Sequence, residues 1–212
     1  MSPLEFKANW KEADARLSPI SLERVKYFSL LPGTMDFLTI AGLPKYAKPE
    51  LYFAEDSNDF LHGINKLLDQ YAYLRDYPEY EYYKYVVIGS CREGDAIAIN
   101  TAENDTIEKL DHEDLFRPMF FNSSIETLAE FLILYRDFEN SILSEYGKDA
   151  YNFTDLQLDN LRKKMTEIDQ RAILEYGFWK GEFEIMLYMR QRYLDYKPGI
   201  DPFFEYNFNG EA

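Results

Sequence analysis

The clearest rhythm in the chain lies between Tyr83 and Leu110. Tyr83-Lys84-Tyr85-Val86-Val87-Ile88-Gly89-Ser90 is a run of strand formers, and Asp95-Ala96-Ile97-Ala98-Ile99-Asn100 alternates with the period of two that one buried sheet face requires. Arg92-Glu93-Gly94 between them is turn composition, and so is Ala102-Glu103-Asn104-Asp105 ahead of Thr106-Ile107-Glu108-Lys109-Leu110. Three consecutive strands with short turns predict an antiparallel meander. A fourth strand, Met119-Phe120-Phe121, leads into Asn122-Ser123-Ser124-Ile125-Glu126, where Ser123 and Glu126 have capping-box spacing. Ser123 is therefore the expected cap of a helix beginning near Ser124.

Elsewhere the apolar period is helical. Ile125, Leu128, Ala129, Leu132, Tyr135, Phe138, Ile142 and Leu143 form one broad face of a helix that Gly147 can close, long enough to cover the sheet. Thr154 and Gln157 repeat the capping-box spacing before Leu158, Leu161, Met165, Ile168 and Ala172, and Phe178 to Tyr193 predicts another helix. Near the start, Phe6, Trp10 and Ala13 predict a short amphipathic helix over Pro3 to Arg16. Pro32 and Gly42 bracket a brief second one, and Leu51-Tyr52-Phe53 reads as a strand. Phe60 to Leu74 has helical spacing weakened by Gly63, with an extended reading also open. The expected fold class is α+β: a central antiparallel sheet flanked by helices, with an α-helical C-terminal portion, in a single unit over residues 1–212. Within it an N-terminal helix belongs to 1–26, the sheet core and covering helix to 27–147, C-terminal helices to 148–196 and an aromatic tail to 197–212.

Charge narrows the partners. With 23 Lys plus Arg against 38 Asp plus Glu the formal charge is −15, which repels nucleic acid and anionic membrane surfaces and favours a basic protein. Disorder does not follow from that charge, because 36 aromatic rings (18 Tyr, 16 Phe, 2 Trp) supply a large buried area. The charged N-terminus lacks the apolar core of an export signal, and no run of about 18 apolar residues is present to span a membrane. A single cysteine, Cys91, excludes an internal disulfide and a multi-cysteine zinc site, so the expected setting is the reducing cytoplasm.

Candidate chemistry is sparse. Asp111-His112-Glu113-Asp114 gathers metal-ligating types, yet adjacent residues point in different directions and read as a solvated loop. Cys91 would need His62 or His112 beside it to act as a nucleophile, and reads instead as a small buried hydrophobe. Neither a Gly-x-Ser-x-Gly elbow nor a Gly-rich phosphate loop occurs. No catalytic residue, metal or cofactor is expected. The densest unusual feature is tyrosine: Tyr71, Tyr73, Tyr77, Tyr80, Tyr82, Tyr83 and Tyr85, interleaved with Asp76, Glu79 and Glu81. Such a stretch suits a partner surface in which rings give contact area and carboxylates meet Lys or Arg. It suits equally a pavement over the edge of the sheet.

Taken in order, Leu31-Pro32, Asp36-Phe37-Leu38, Gly42-Leu43-Pro44, Tyr52-Phe53, Val87-Ile88-Gly89-Ser90, Ala96-Ile97-Ala98-Ile99 and Phe121-Asn122-Ser123-Ser124, with Glu167-Ile168-Asp169 and Phe178-Trp179 later, form a pattern over about Tyr27 to Met186. The chain resembles the SUKH superfamily of bacterial immunity proteins, related to Syd and to yeast killer-toxin resistance proteins, and is most similar to its fourth immunity subfamily. The tyrosine-rich stretch and the aromatic tail depart from that pattern. The resemblance implies an α+β domain without enzyme activity that neutralises a polymorphic toxin, such as a nuclease or deaminase, by stoichiometric binding. Tyr77, Glu79, Tyr80, Glu81 and Tyr82 are the expected centre of the contact. A regulatory or scaffolding interaction domain without a toxin partner is the alternative.

Overall fold

The structure is a computed structural model that describes residues 1–11, 15–60, 62–146, 151–174 and 177–195. Ala13, Leu61, Gly147 and the aromatic tail lie outside these residues. The predicted meander is present: β6 (Tyr85–Ser90), β7 (Ala96–Asn100), β8 (Thr106–Asp111) and β9 (Arg117–Asn122) pair antiparallel in chain order. β6 starts two residues later than the sequence suggested, because Tyr82–Lys84 closes a 3₁₀ turn first. Two earlier short strands extend the sheet beyond β6, β4 (Leu51–Phe53) beside it and β3 (Tyr46–Ala47) outside that, while β5 (Asn65–Lys66) pairs with the start of β6.

The first 26 residues hold more than the expected helix. α1 (Pro3–Asn9) is closed by a Ser2–Glu5 capping box and stops at Trp10, whose indole donates to the Ala15 carbonyl at 2.7 Å. There follow β1 (Leu17–Ser18) and α2 (Leu22–Val25). α3 (Pro32–Ile40) matches the bracket set by Pro32 and Gly42. Gly42 has φ +66°, and a Cβ there would lie 2.1 Å from the Ser18 carbonyl oxygen, so only glycine lets β2 (Leu43–Pro44) turn back to pair with β1.

The helical reading of Phe60 to Leu74 is mostly overturned. Among the described residues there only α4 (Leu67–Gln70) is α-helical, between β5 and a 3₁₀ turn at Ala72–Asp76. Gly63 instead forms an isolated bridge with Glu55, so close to neighbouring backbone that a Cβ on it would meet the Ser57 carbonyl oxygen at 2.1 Å.

α5 (Ile125–Tyr146) lies over one face of the sheet, and Ile97, Ile99 and Ile107 meet it in the larger core cluster. α6 (Asp155–Ile168) begins at the predicted Thr154–Gln157 box, breaks at Asp169, and gives way to α7 (Gln170–Leu174) and α8 (Phe178–Asp195). α8 drives Trp179 into that core, where its ring lies 5.3 Å from Phe131 and 5.4 Å from Phe121 and its indole donates to Asn122 Oδ1 at 3.0 Å. The opposite sheet face carries a second cluster, in which Ala96 and Ala98 lie under Tyr82, Tyr85, Leu74 and Phe116. The molecule is therefore α+β, with a helical C-terminal portion on the same sheet.

The expected cap is displaced by one residue. The Thr127 amide donates to Ser124 Oγ at 3.3 Å and the Ser124 amide to Thr127 Oγ1 at 3.2 Å, so Ser124 and not Ser123 closes α5. Ser123 turns to Asp169 instead, giving its amide to Oδ2 at 2.6 Å and its hydroxyl to Oδ1 at 2.9 Å. A buried carboxylate binds these donors more strongly than a neutral cap would.

Candidate partner-binding surface

The tyrosine stretch folds as linked 3₁₀ turns, Ala72–Asp76, Pro78–Tyr80 and Tyr82–Lys84, lying across the second core cluster. Pro78 and the left-handed Glu81 interrupt a continuous helix. The turns divide the tyrosines by depth. Tyr77 and Tyr80 are 37% and 47% exposed, whereas Tyr82 is 4% exposed and Tyr85 is fully enclosed. Glu79 and Glu81 both face solvent. Of the five residues expected at the centre of a contact, four thus form a surface and Tyr82 lies beneath it. The Tyr80 and Tyr82 rings stack at 5.5 Å, so the buried ring sets the position of the exposed one.

Tyr82 is itself fixed. Its hydroxyl donates to the carbonyl of Leu115, in the turn between β8 and β9, and burial followed by nearby Tyr80 raises its pKa above the ordinary phenol value. That turn has a strained backbone: Leu115 and Phe116 take φ of 46° and 55°, and Glu81 next to Tyr82 takes 52°. Left-handed geometry costs about 1–2 kcal/mol per non-glycine residue. Burying Phe116 under Tyr71, at 4.5 Å between ring centroids, offsets it. Three left-handed residues thus meet at one hydrogen bond under the exposed rings. Sequence offered no signal for this, because neither Leu nor Phe is a turn residue.

The charges around the platform are unevenly paired. Lys84 reaches Glu81 at 3.8 Å and Arg75 reaches Asp69 at 3.4 Å, but Asp76 and Glu79 have no ion-pair partner among the described residues. A cationic partner would meet those two carboxylates without displacing an internal bond.

The chemical candidates are structural. Asp95 accepts from Lys109 Nζ at 2.7 Å, from the His112 amide at 3.0 Å, and lies 2.6 Å from His112 Nδ1. Burial pushes the Asp95 carboxyl up, but these bonds outweigh it and hold the group below its usual value; Asp95 in turn raises the His112 pKa. The cluster ties the β6–β7 turn to the end of β8. Among the described residues no three His, Cys, Asp or Glu side chains stand where they could hold a metal ion. The Cys91 thiol is buried and pushed up to about 12 by that burial and by Glu93, so it is not an activated nucleophile. Within the described residues no helix is long and apolar enough to cross a membrane.

An antiparallel sheet with helices on one face and an aromatic, acidic surface on the other defines an α+β protein. Residues 15–185 match the family model of the SUKH-4 immunity protein, and the chain belongs to that family, which gives it a role in immunity to a toxin. No curated protein and no solved structure matches it.

Proposed function

We propose that this protein neutralises a basic protein toxin in the cytoplasm by stoichiometric binding, without catalysis, through the platform formed by Tyr77, Glu79, Tyr80 and Glu81 over Tyr82. The observation that carries the reading is the exposed Tyr80 ring held on the buried Tyr82, which is itself pinned to a strained turn. A ring fixed before contact loses little entropy when a partner covers it. A charge of −15 supplies the long-range attraction for a basic target, such as a nuclease or deaminase.

The test uses a toxin captured by this protein from its native cells, with association and dissociation rates followed as salt is raised. Association should slow by about tenfold or more while dissociation changes far less. Replacing Glu79 and Glu81 together by Lys should weaken binding by placing like charges across the contact. Tyr80→Ala should cost about 1–2 kcal/mol of binding energy. A complex indifferent to salt and to all these substitutions would remove this surface from the interface.

A further inference from the structure

Two tight turns flank β8, and they share one backbone design. In the first, the Thr106 amide donates to the Glu103 carbonyl at 3.1 Å across Asn104 and Asp105, whose φ values are 53° and 58°. In the second, the Arg117 amide donates to the Asp114 carbonyl at 2.9 Å across Leu115 and Phe116, at 46° and 55°. Two successive left-handed residues inside such a bond are the pattern of a type I′ hairpin turn, which favours Asn, Asp and Gly. Asn104 and Asp105 meet that demand. Leu and Phe do not, so the second turn is not held by its own sequence and its geometry depends on contacts from elsewhere.

Those contacts come from one segment, the run of 3₁₀ turns that crosses the second core cluster. Phe116 is 1% exposed, with its ring 4.5 Å from that of Tyr71, and it packs in the same cluster as Leu74 and Tyr82. Leu115, at 41% exposure, is held instead through its carbonyl, which accepts from the Tyr82 hydroxyl. Among the described residues that is the only side-chain hydrogen bond running from Ala72–Tyr83 to the sheet or its turns. At Lys84 the segment is tied to the sheet, its carbonyl accepting from the Thr101 amide at 3.0 Å and from the Thr101 hydroxyl at 2.9 Å.

We propose that the segment from Tyr71 to Lys84 and the Asp114–Arg117 turn form one conformational unit, a strap and its latch, that opens and closes together while the sheet beneath stays paired. This coupling does not require the toxin-binding reading. Withdrawal of Tyr82 takes the donor from Leu115 and the cover from Phe116, and the Leu-Phe pair then gains by leaving the left-handed region. Relaxation of the turn in its turn removes the acceptor of Tyr82 and the ring against Tyr71, so each element stabilises the other by the same amount. β7 and β8 pair from Ala96–Leu110 to Asn100–Thr106 and need neither. A partner that touched the strap alone would thereby also order the β8–β9 turn.

Amide hydrogen exchange on the ¹⁵N-labelled full chain tests the coupling. The Leu74 and Tyr77 amides of the strap, which donate to Tyr71 and Leu74, and the Arg117 amide of the turn should open with a common free energy, below that of Ile97 and Ile99 in β7. Tyr82→Phe keeps the ring and removes the latch bond, and should speed exchange about fivefold at Tyr77 and Arg117 alike. Leu115→Asn places a tolerant residue in the left-handed position and should slow both by a similar factor of about fivefold. Different opening free energies for strap and turn, a value at either equal to that of Ile97, or an effect of either variant that is absent or confined to one of the two segments would overturn the unit.

Discussion

At the scale of the single residue, Glu182 shows how burial sets a pH response. It sits on α8 at 4% exposure with Arg92 Nη2 2.7 Å from Oε1. Burial raises its pKa to about 7; Arg92 opposes that rise, but the guanidinium also serves Glu93, and Glu93 and Glu50 push the same way as burial. The charged form is therefore less stable in the fold than in the unfolded chain. The stability this group contributes is complete below its unfolded value of about 4.5 and is lost as pH climbs through about 7. Denaturant midpoints measured at pH 5 and pH 8 should show wild type losing on the order of 1–3 kcal/mol over that window. Glu182→Gln should flatten most of the slope; an equally steep variant would mean that the carboxylate does not titrate there. His112, raised by Asp95, acts with the same sign, but it is largely exposed and contributes less.

Among elements, the junction of β9, α5 and the α6–α7 break depends on one carboxylate. Asp169 accepts from the amide and hydroxyl of Ser123, from the Thr127 hydroxyl at 3.2 Å and from the Ala172 amide at 3.4 Å, so it joins the start of one helix to the start of another. Asp169→Ala should lower unfolding free energy by about 3 kcal/mol, and Ser123→Ala by about 1 kcal/mol, because the first strands several donors and the second removes one. Equal losses in the two variants would show that Asp169 is not the hub. Sequence made the helix start legible but not its chemistry. The local pattern Ser123 to Glu126 is a valid box, and it loses to an acceptor 46 residues away that no local rule can see. The sheet was legible for the opposite reason: its turns are short and its pairing local. Even there, Ala96-Ile97-Ala98-Ile99 reads as one buried face, whereas both faces of β7 are buried. The alternation is large against small: Ile faces the helices, and Ala leaves room for the rings of the second cluster. Phe60 to Leu74 misled because its apolar residues at helical spacing include Ile64, which is buried just before a strand rather than on a helix.

For the molecule as a whole, the two faces of the sheet carry separate core clusters. The larger core lies with the helices, and the Tyr77 to Tyr82 surface lies on the other side. The proposed platform could be seen in the sequence as a density of tyrosine and carboxylate, but its depth could not, since Tyr80 and Tyr82 differ only in what lies beneath them. The two tryptophans share the helical side. Trp10 lies under the Arg136 guanidinium of α5 at 5.1 Å, and Trp179 stands 6.1 Å from Tyr135 of the same helix. Both are buried and in the larger cluster. The protein therefore carries its own optical division of labour: indole emission reports the packing of α1 and α8 on α5, and the phenols on the far face would report a partner bound at the proposed platform. Unfolding should shift the tryptophan emission to the red, whereas a tryptophan-free partner bound at the platform should leave it in place and perturb tyrosine absorbance. A red shift on binding would mean that contact on one side of the sheet loosens the helices on the other.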